Sequence, residues 1–174
     1  MRFPSNLLLA LTMSSSALLS AQQTAASIDV PAGSQLILQA KGEGVQIYNC
    51  TNPNGTMKWM LKAPDAKLLD ASEKEIGTHF AGPTWKLTDN SQVQGELVAS
   101  QPSPDGSSIP WLMLRAKPGT TTGKFSNITF IRRTETHGGV APKTGCDTPR
   151  QANTTVSVPY SATYSFYSKQ ETDR

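Results

Sequence analysis

The sequence predicts an all-β fold, an antiparallel β-sandwich with a closed β-barrel as the alternative. Three observations carry that expectation. Apolar residues recur at every second position in one stretch after another from Pro31 onward, the spacing of strands with one buried face. Turn-forming Gly, Pro, Asn and Asp separate these stretches at intervals of about 8–12 residues, as in sandwiches and barrels. Beyond residue 26, no window long enough for a helix shows helical spacing.

Taken in order, the first strand holds Leu36, Leu38 and Ala40 on one face, and Gly42-Glu43-Gly44 reads as a hairpin turn into Val45–Cys50. Asn52-Pro53-Asn54-Gly55 is a turn, because Asn-Gly tolerates the positive φ that a tight turn needs. Met57, Trp59 and Leu61 alternate with Lys58, Met60 and Lys62 in a half-buried strand, which Ala63-Pro64-Asp65-Ala66 interrupts before a short strand at Lys67–Asp70. Two strands flank the bend at Gly82-Pro83, one ending at Phe80 and one starting near Thr84. Gln92–Ser100 is a strand with a bulge expected at Gly95. Pro110–Ala116 is apolar almost throughout, which marks a strand covered on both faces. Asn127–Ile131 follows, then a long Gly/Pro/Thr-rich loop over Thr136–Asn153. The last strand is the clearest, with Val156, Val158, Tyr160, Ala162, Tyr164 and Phe166 on one face. The count comes to about ten strands.

Residues 1–26 read as a signal peptide and residues 27–174 as one secreted β domain. Arg2 precedes the apolar stretch Leu7–Leu19, and small residues follow at Ser20, Ala21, Ala25 and Ala26. That stretch is too short and too serine-rich to span a bilayer, and no later run reaches membrane length, so no membrane span is expected. A hydrophobic content of 37% suits one domain with its own core. The formal charge is +3, but the basic residues are scattered and only Arg132-Arg133 are adjacent. A nucleic-acid binder gathers its cations into a face or stripe, so no nucleic-acid partner is expected. No feature of the sequence bears on oligomeric state.

Cys50 and Cys146 are the two cysteines. In an oxidising compartment the pair fits one disulfide, the alternative being two buried thiols. A loop of about a hundred residues closed in this way is worth about 4–5 kcal/mol in the chain-entropy model. Neither cysteine sits in a CxxC arrangement, which argues against redox and zinc roles. Asn-x-Ser/Thr sequons begin at Asn49, Asn54, Asn127 and Asn153, candidate glycosylation sites in a secreted chain.

Six segments also follow one another in a recognisable order: Val45–Cys50, Ala63–Ala66, Gly77–Trp85, Ile109–Leu112, Gly138–Pro142 and Gly145–Asp147. Together they resemble the secreted fungal and bacterial family known as domain of unknown function 3455, over about Pro31 to Ser168. The resemblance implies secretion and says little about activity. At Lys86 this chain departs from the pattern, since many members carry an acidic residue after the Thr-Trp pair. Some fungal relatives bear the label malate dehydrogenase. The sequence argues against it, because Gly42-x-Gly44 is half a dinucleotide fingerprint and no βαβ pattern follows. No cofactor is expected.

His79 is the titratable residue of most interest, set in a Gly/Pro-rich aromatic stretch near Trp85. Its competing role is that of a core histidine bonded to backbone. A ligand site is expected, if anywhere, around His79, Trp85, Trp111 and Arg115. Trp85 offers an aromatic face, His79 a group titrating near neutral pH, and Arg115 a forked donor for carboxylate or phosphate. The same tryptophans equally fit a core. His137 and His79 lack the short ligand spacing that would bring Asp70 or Asp147 into a metal site, so no metal is expected. No Gly-x-Ser-x-Gly elbow is present. The expected function is a non-catalytic binding module for a small molecule, glycan or cell-surface partner. The alternatives are an extracellular hydrolase with a site near His79 and a structural wall-associated protein.

Overall fold

The computed structural model describes residues 27–170; the expected signal peptide lies outside them. Eight strands follow in chain order: β1 (Ser34–Thr51), β2 (Lys58–Leu69), β3 (Glu75–Phe80), β4 (Thr84–Leu87), β5 (Gln92–Gln101), β6 (Trp111–Ala116), β7 (Ile128–Gly138) and β8 (Thr155–Lys169). Each pairs antiparallel with the next, and β8 returns to β1 to close a single sheet into a barrel. The expected all-β antiparallel class holds, and of its two architectures the closed ring is the barrel. The ring is uneven, since β1 spans 18 residues and β4 spans 4.

Eight strands stand where ten were expected because two predicted turns lie inside strands. Gly42-Glu43-Gly44 continues β1, paired with β2 on one side and β8 on the other. The glycines there serve closeness rather than turning. A Cβ on Gly44 would lie 2.2 Å from the Asp65 carbonyl oxygen, and one on Gly42 would lie 2.4 Å from the Tyr164 ring. Ala63–Ala66 likewise belongs to β2. The chain absorbs Pro64, which has no N–H for the ladder, beside a bulge where the partners of Ile47 and Tyr48 are Ala63 and Leu61. A third expectation also moves. The β5 bulge falls at Val98, between Leu97 and Ala99, and Gly95 is in register with Ala116. A Cβ on Gly95 would meet Trp85 and Leu114 at 3.1 and 3.0 Å, so this glycine makes room for the indole. The expected loop from Thr136 also starts later, because β7 runs on to Gly138 and holds exposed His137 opposite Ser161.

Inward-pointing residues form one core that includes Leu68, Trp85, Leu87, Val93, Leu114, Ile131, Tyr164 and Phe166. Both barrel ends are stoppered. At one, a short 3-10 turn over Gly123–Phe125 drives Phe125 inward to stack on Phe166 at 4.7 Å. At the other, Ile109 is buried and hydrogen-bonded through its N–H to the Gly138 carbonyl. The Thr136 hydroxyl donates to the Ile109 carbonyl there, and the Tyr48 hydroxyl donates to the Gly139 carbonyl. A smaller cluster lies outside the barrel, where Ile28, with Val30, covers Ala99, Trp111, Met113 and Phe130. This explains the apolar run of β6: Leu112 and Leu114 face in, while Trp111 and Met113 face out beneath the N-terminal segment.

Gly44→Ala should therefore destabilise the barrel, although the position looks like a permissive turn in sequence. Its Cβ meets backbone, which cannot rotate away, and overpacking of this kind costs about 1–3 kcal/mol. The guanidinium unfolding midpoint of the variant should fall accordingly. An unchanged midpoint would mean that β1 and β2 are not in close contact at this position.

Candidate functional site

His79 and Trp85 are cross-strand partners in the β3–β4 hairpin, and their side chains point into the barrel. The rings stack at 4.4 Å with an interplanar angle of 7°. Tyr164 of β8 meets both edge-on, at 5.0 Å from His79 and 5.4 Å from Trp85, an arrangement favoured by the ring quadrupoles. The two residues are only 3% and 1% exposed. The His79 Nδ1–H donates to the Thr84 carbonyl at 2.9 Å, which fixes the neutral tautomer. Burial is the main influence on its titration and lowers the pKa to about 4. The hydrogen bond to Thr84 opposes that shift, and the positive Arg133 adds to it.

Above this stack the interior turns polar. The Tyr160 and Tyr164 hydroxyls lie 3.2 Å apart, and burial raises the pKa of both. The positive charge of Arg133 counters the shift at each, and a hydrogen bond from Arg133 counters it further at Tyr164. The Arg133 guanidinium is held by the Pro110 carbonyl, to which Nε and Nη2 donate at 3.1 and 2.8 Å. Gln46 is buried nearby, its Cγ close to Gly139. The chemistry available here is that of a neutral imidazole, protonated phenols and one guanidinium engaged by backbone. It is a tightly packed filling, in which the Gln46 amide oxygen and the Trp85 indole N–H have no hydrogen-bond partner.

The four residues expected to share a ligand site are not brought together. His79 and Trp85 stack inside the barrel, whereas Trp111 packs outside it against the Ile28 cluster. Arg115 is exposed and borders an outer groove of about 390 Å³ with Lys117, Phe130 and Lys169. The third tryptophan, Trp59, is half-buried and donates from Nε1 to the Thr144 carbonyl.

The carboxylates weighed as partners for the histidines serve their own turns. Asp70 accepts from the Ser72 N–H, the Ser72 hydroxyl and the Lys74 N–H, which together hold its pKa below the usual carboxylate value. Asp147 accepts from the Gly145 N–H. Among the described residues, no three His, Cys, Asp or Glu side chains gather in a way that could hold a metal ion. Cys50 and Cys146 form the expected disulfide, with a Cα–Cα distance of 5.5 Å. Of the sequons, Asn54, Asn127 and Asn153 are exposed and Asn49 is half-buried in β1. No helix among the described residues is long and apolar enough to cross a membrane.

The fold and interior define a closed, filled antiparallel barrel clamped by one disulfide. The chain belongs to the family described as "protein of unknown function (DUF3455)", whose model matches residues 31–168. No curated protein and no solved structure matches it significantly.

The buried imidazole makes stability depend on pH. Because the folded pKa lies below the unfolded value, its contribution is complete above about pH 6.5. It is lost as pH falls towards 4, since the unfolded chain takes up a proton that the folded chain refuses. The full loss is roughly 3 kcal/mol. His79→Phe keeps a ring on Trp85 but cannot titrate. Denaturant unfolding between pH 7 and pH 4.5 should show a flatter pH dependence in the variant. Identical slopes would place His79 in contact with water.

Proposed function

We propose that the protein is an exported, non-catalytic β-barrel module that binds a small molecule, glycan or cell-surface partner on its outer surface. The observation that carries this reading is the filled interior. An eight-stranded barrel is just wide enough to be packed by its own side chains or to hold one small ligand. Here Trp85, Tyr164 and Phe166 occupy that space, each at most 1% exposed. The most reactive candidate, His79, is stacked on Trp85, bonded to backbone and 3% exposed, so its ring is shut away from any substrate, which counts against a hydrolase centred on it. Export is supported by the Cys50–Cys146 disulfide, since such bonds persist in oxidising compartments.

Two experiments test this reading. Expressed with its native leader in a secreting host, the protein should appear in the medium with Cys50 and Cys146 joined in one peptide on non-reduced mass spectrometry. Free thiols in secreted material would count against it. Incubated with a panel of immobilised wall glycans, the protein should be retained on some without releasing reducing ends. Release of reducing ends that His79→Phe abolishes would overturn the non-catalytic assignment.

A further inference from the structure

The groove that Arg115 borders continues into a second one of about 650 Å³ through shared Ile128, Thr129 and Lys169. Together they run across the start of β7, beneath the β6–β7 loop. Four cations line this path: Arg115 and Lys117 at one end, Lys169 at the centre and Lys124 beyond it. Among the described residues, no Asp or Glu lines either part. The ion pairs found among the described residues, Lys41–Glu43 and Lys67–Glu75, lie elsewhere. Glu96 is opposite Arg115 on β5, and Asp89 is close enough to Lys124 to feel its charge; neither enters the groove. A chain of formal charge +3 thus places four cations along one path. The walls between them offer Thr121, Ser126 and Asn127 as hydrogen-bonding groups and Phe130 as an apolar surface.

We infer that this groove binds an acidic oligosaccharide, with carboxylate-bearing sugars against Arg115, Lys169 and Lys124. Spaced point charges match repeated anionic groups along an extended ligand better than they match one compact anion. The hydroxyl and amide groups between them suit sugar hydroxyls, and the apolar floor suits the faces of sugar rings. Three of the four cations are lysines, which attract as point charges, and Arg115 adds a fork suited to a carboxylate. This inference rests on the outer-surface binding reading above and names its ligand class.

Trigalacturonate provides the probe, titrated calorimetrically into the disulfide-bonded full chain produced without N-glycosylation, since the Asn127 sequon lies in the groove. Binding should be saturable and should weaken as salt is raised to about 0.5 M. Arg115→Gln and Lys169→Gln should each weaken it about three- to tenfold with unchanged melting temperature, because both side chains are exposed. Lys67→Gln, remote from the groove, should leave it unaltered. Equal affinity in all three variants would overturn the inference, as would the absence of trigalacturonate binding. Comparable binding of inorganic phosphate, or of phosphatidylglycerol vesicles in place of the sugar, would also overturn it. Binding of a neutral trisaccharide that both groove variants leave unchanged would overturn the acidic groove and leave the binding-module reading standing.

Discussion

The Trp85 indole stacks on the His79 imidazole and meets Tyr164 and Phe166 in T-shaped contacts, and the surrounding barrel is shaped to admit it. Gly95 stands beside the indole, where a Cβ would press on Trp85 and Leu114, and a Cβ on Gly42 would overlap the Tyr164 ring outright. Each glycine forgoes a packing side chain and carries more unfolded-state entropy, a cost of about 0.5–1 kcal/mol. A buried aromatic side chain returns about 1.5–3 kcal/mol, with further gain from ring–ring geometry. The exchange favours the large ring. It also commits the barrel, because a volume filled by these rings cannot hold a ligand.

The same packing accounts for what could be read from the residues and what could not. β8 was legible because its faces differ so sharply: Tyr160, Ala162, Tyr164 and Phe166 are all buried on one side. Gly42–Gly44 and Ala63–Ala66 were misleading because turn propensity is local, whereas the demand for glycine there comes from strands far away in sequence. Gly44 answers to Asp65, and Gly42 to Tyr164. Nothing within a few residues distinguishes a glycine that turns the chain from one that lets a neighbouring strand approach.

The expected site divides along a related line. His79 and Trp85 were close in sequence across an evident bend, so their meeting in one hairpin was readable. Trp111 and Arg115 do share a face of β6, as their spacing requires. Which face points inward was not readable, because the strand is apolar on both. The outer side is covered by Ile28 and Val30, a segment that alternation alone does not connect to β6. Lys117, Lys124 and Lys169 gave no sequence signal for the same reason. They come from a loop and a strand end that meet only when β8 pairs with β7.

Closure therefore governs both stability and the placing of the outer surface. β1 is the seam, paired with β8 from Ser34 to Asn49 and with β2 from Lys41 to Thr51, and the disulfide fixes its far end to the loop that covers the Tyr48 end of the barrel. At the opposite end a single 3-10 turn does two jobs through adjacent residues. Phe125 turns inward and stacks on Phe166, while Lys124 is exposed on the groove. The position of that cation is thus set by core packing rather than by contacts of its own. A surface feature anchored in this way keeps its geometry without spending side-chain contacts on rigidity, which leaves its charge free for an external partner.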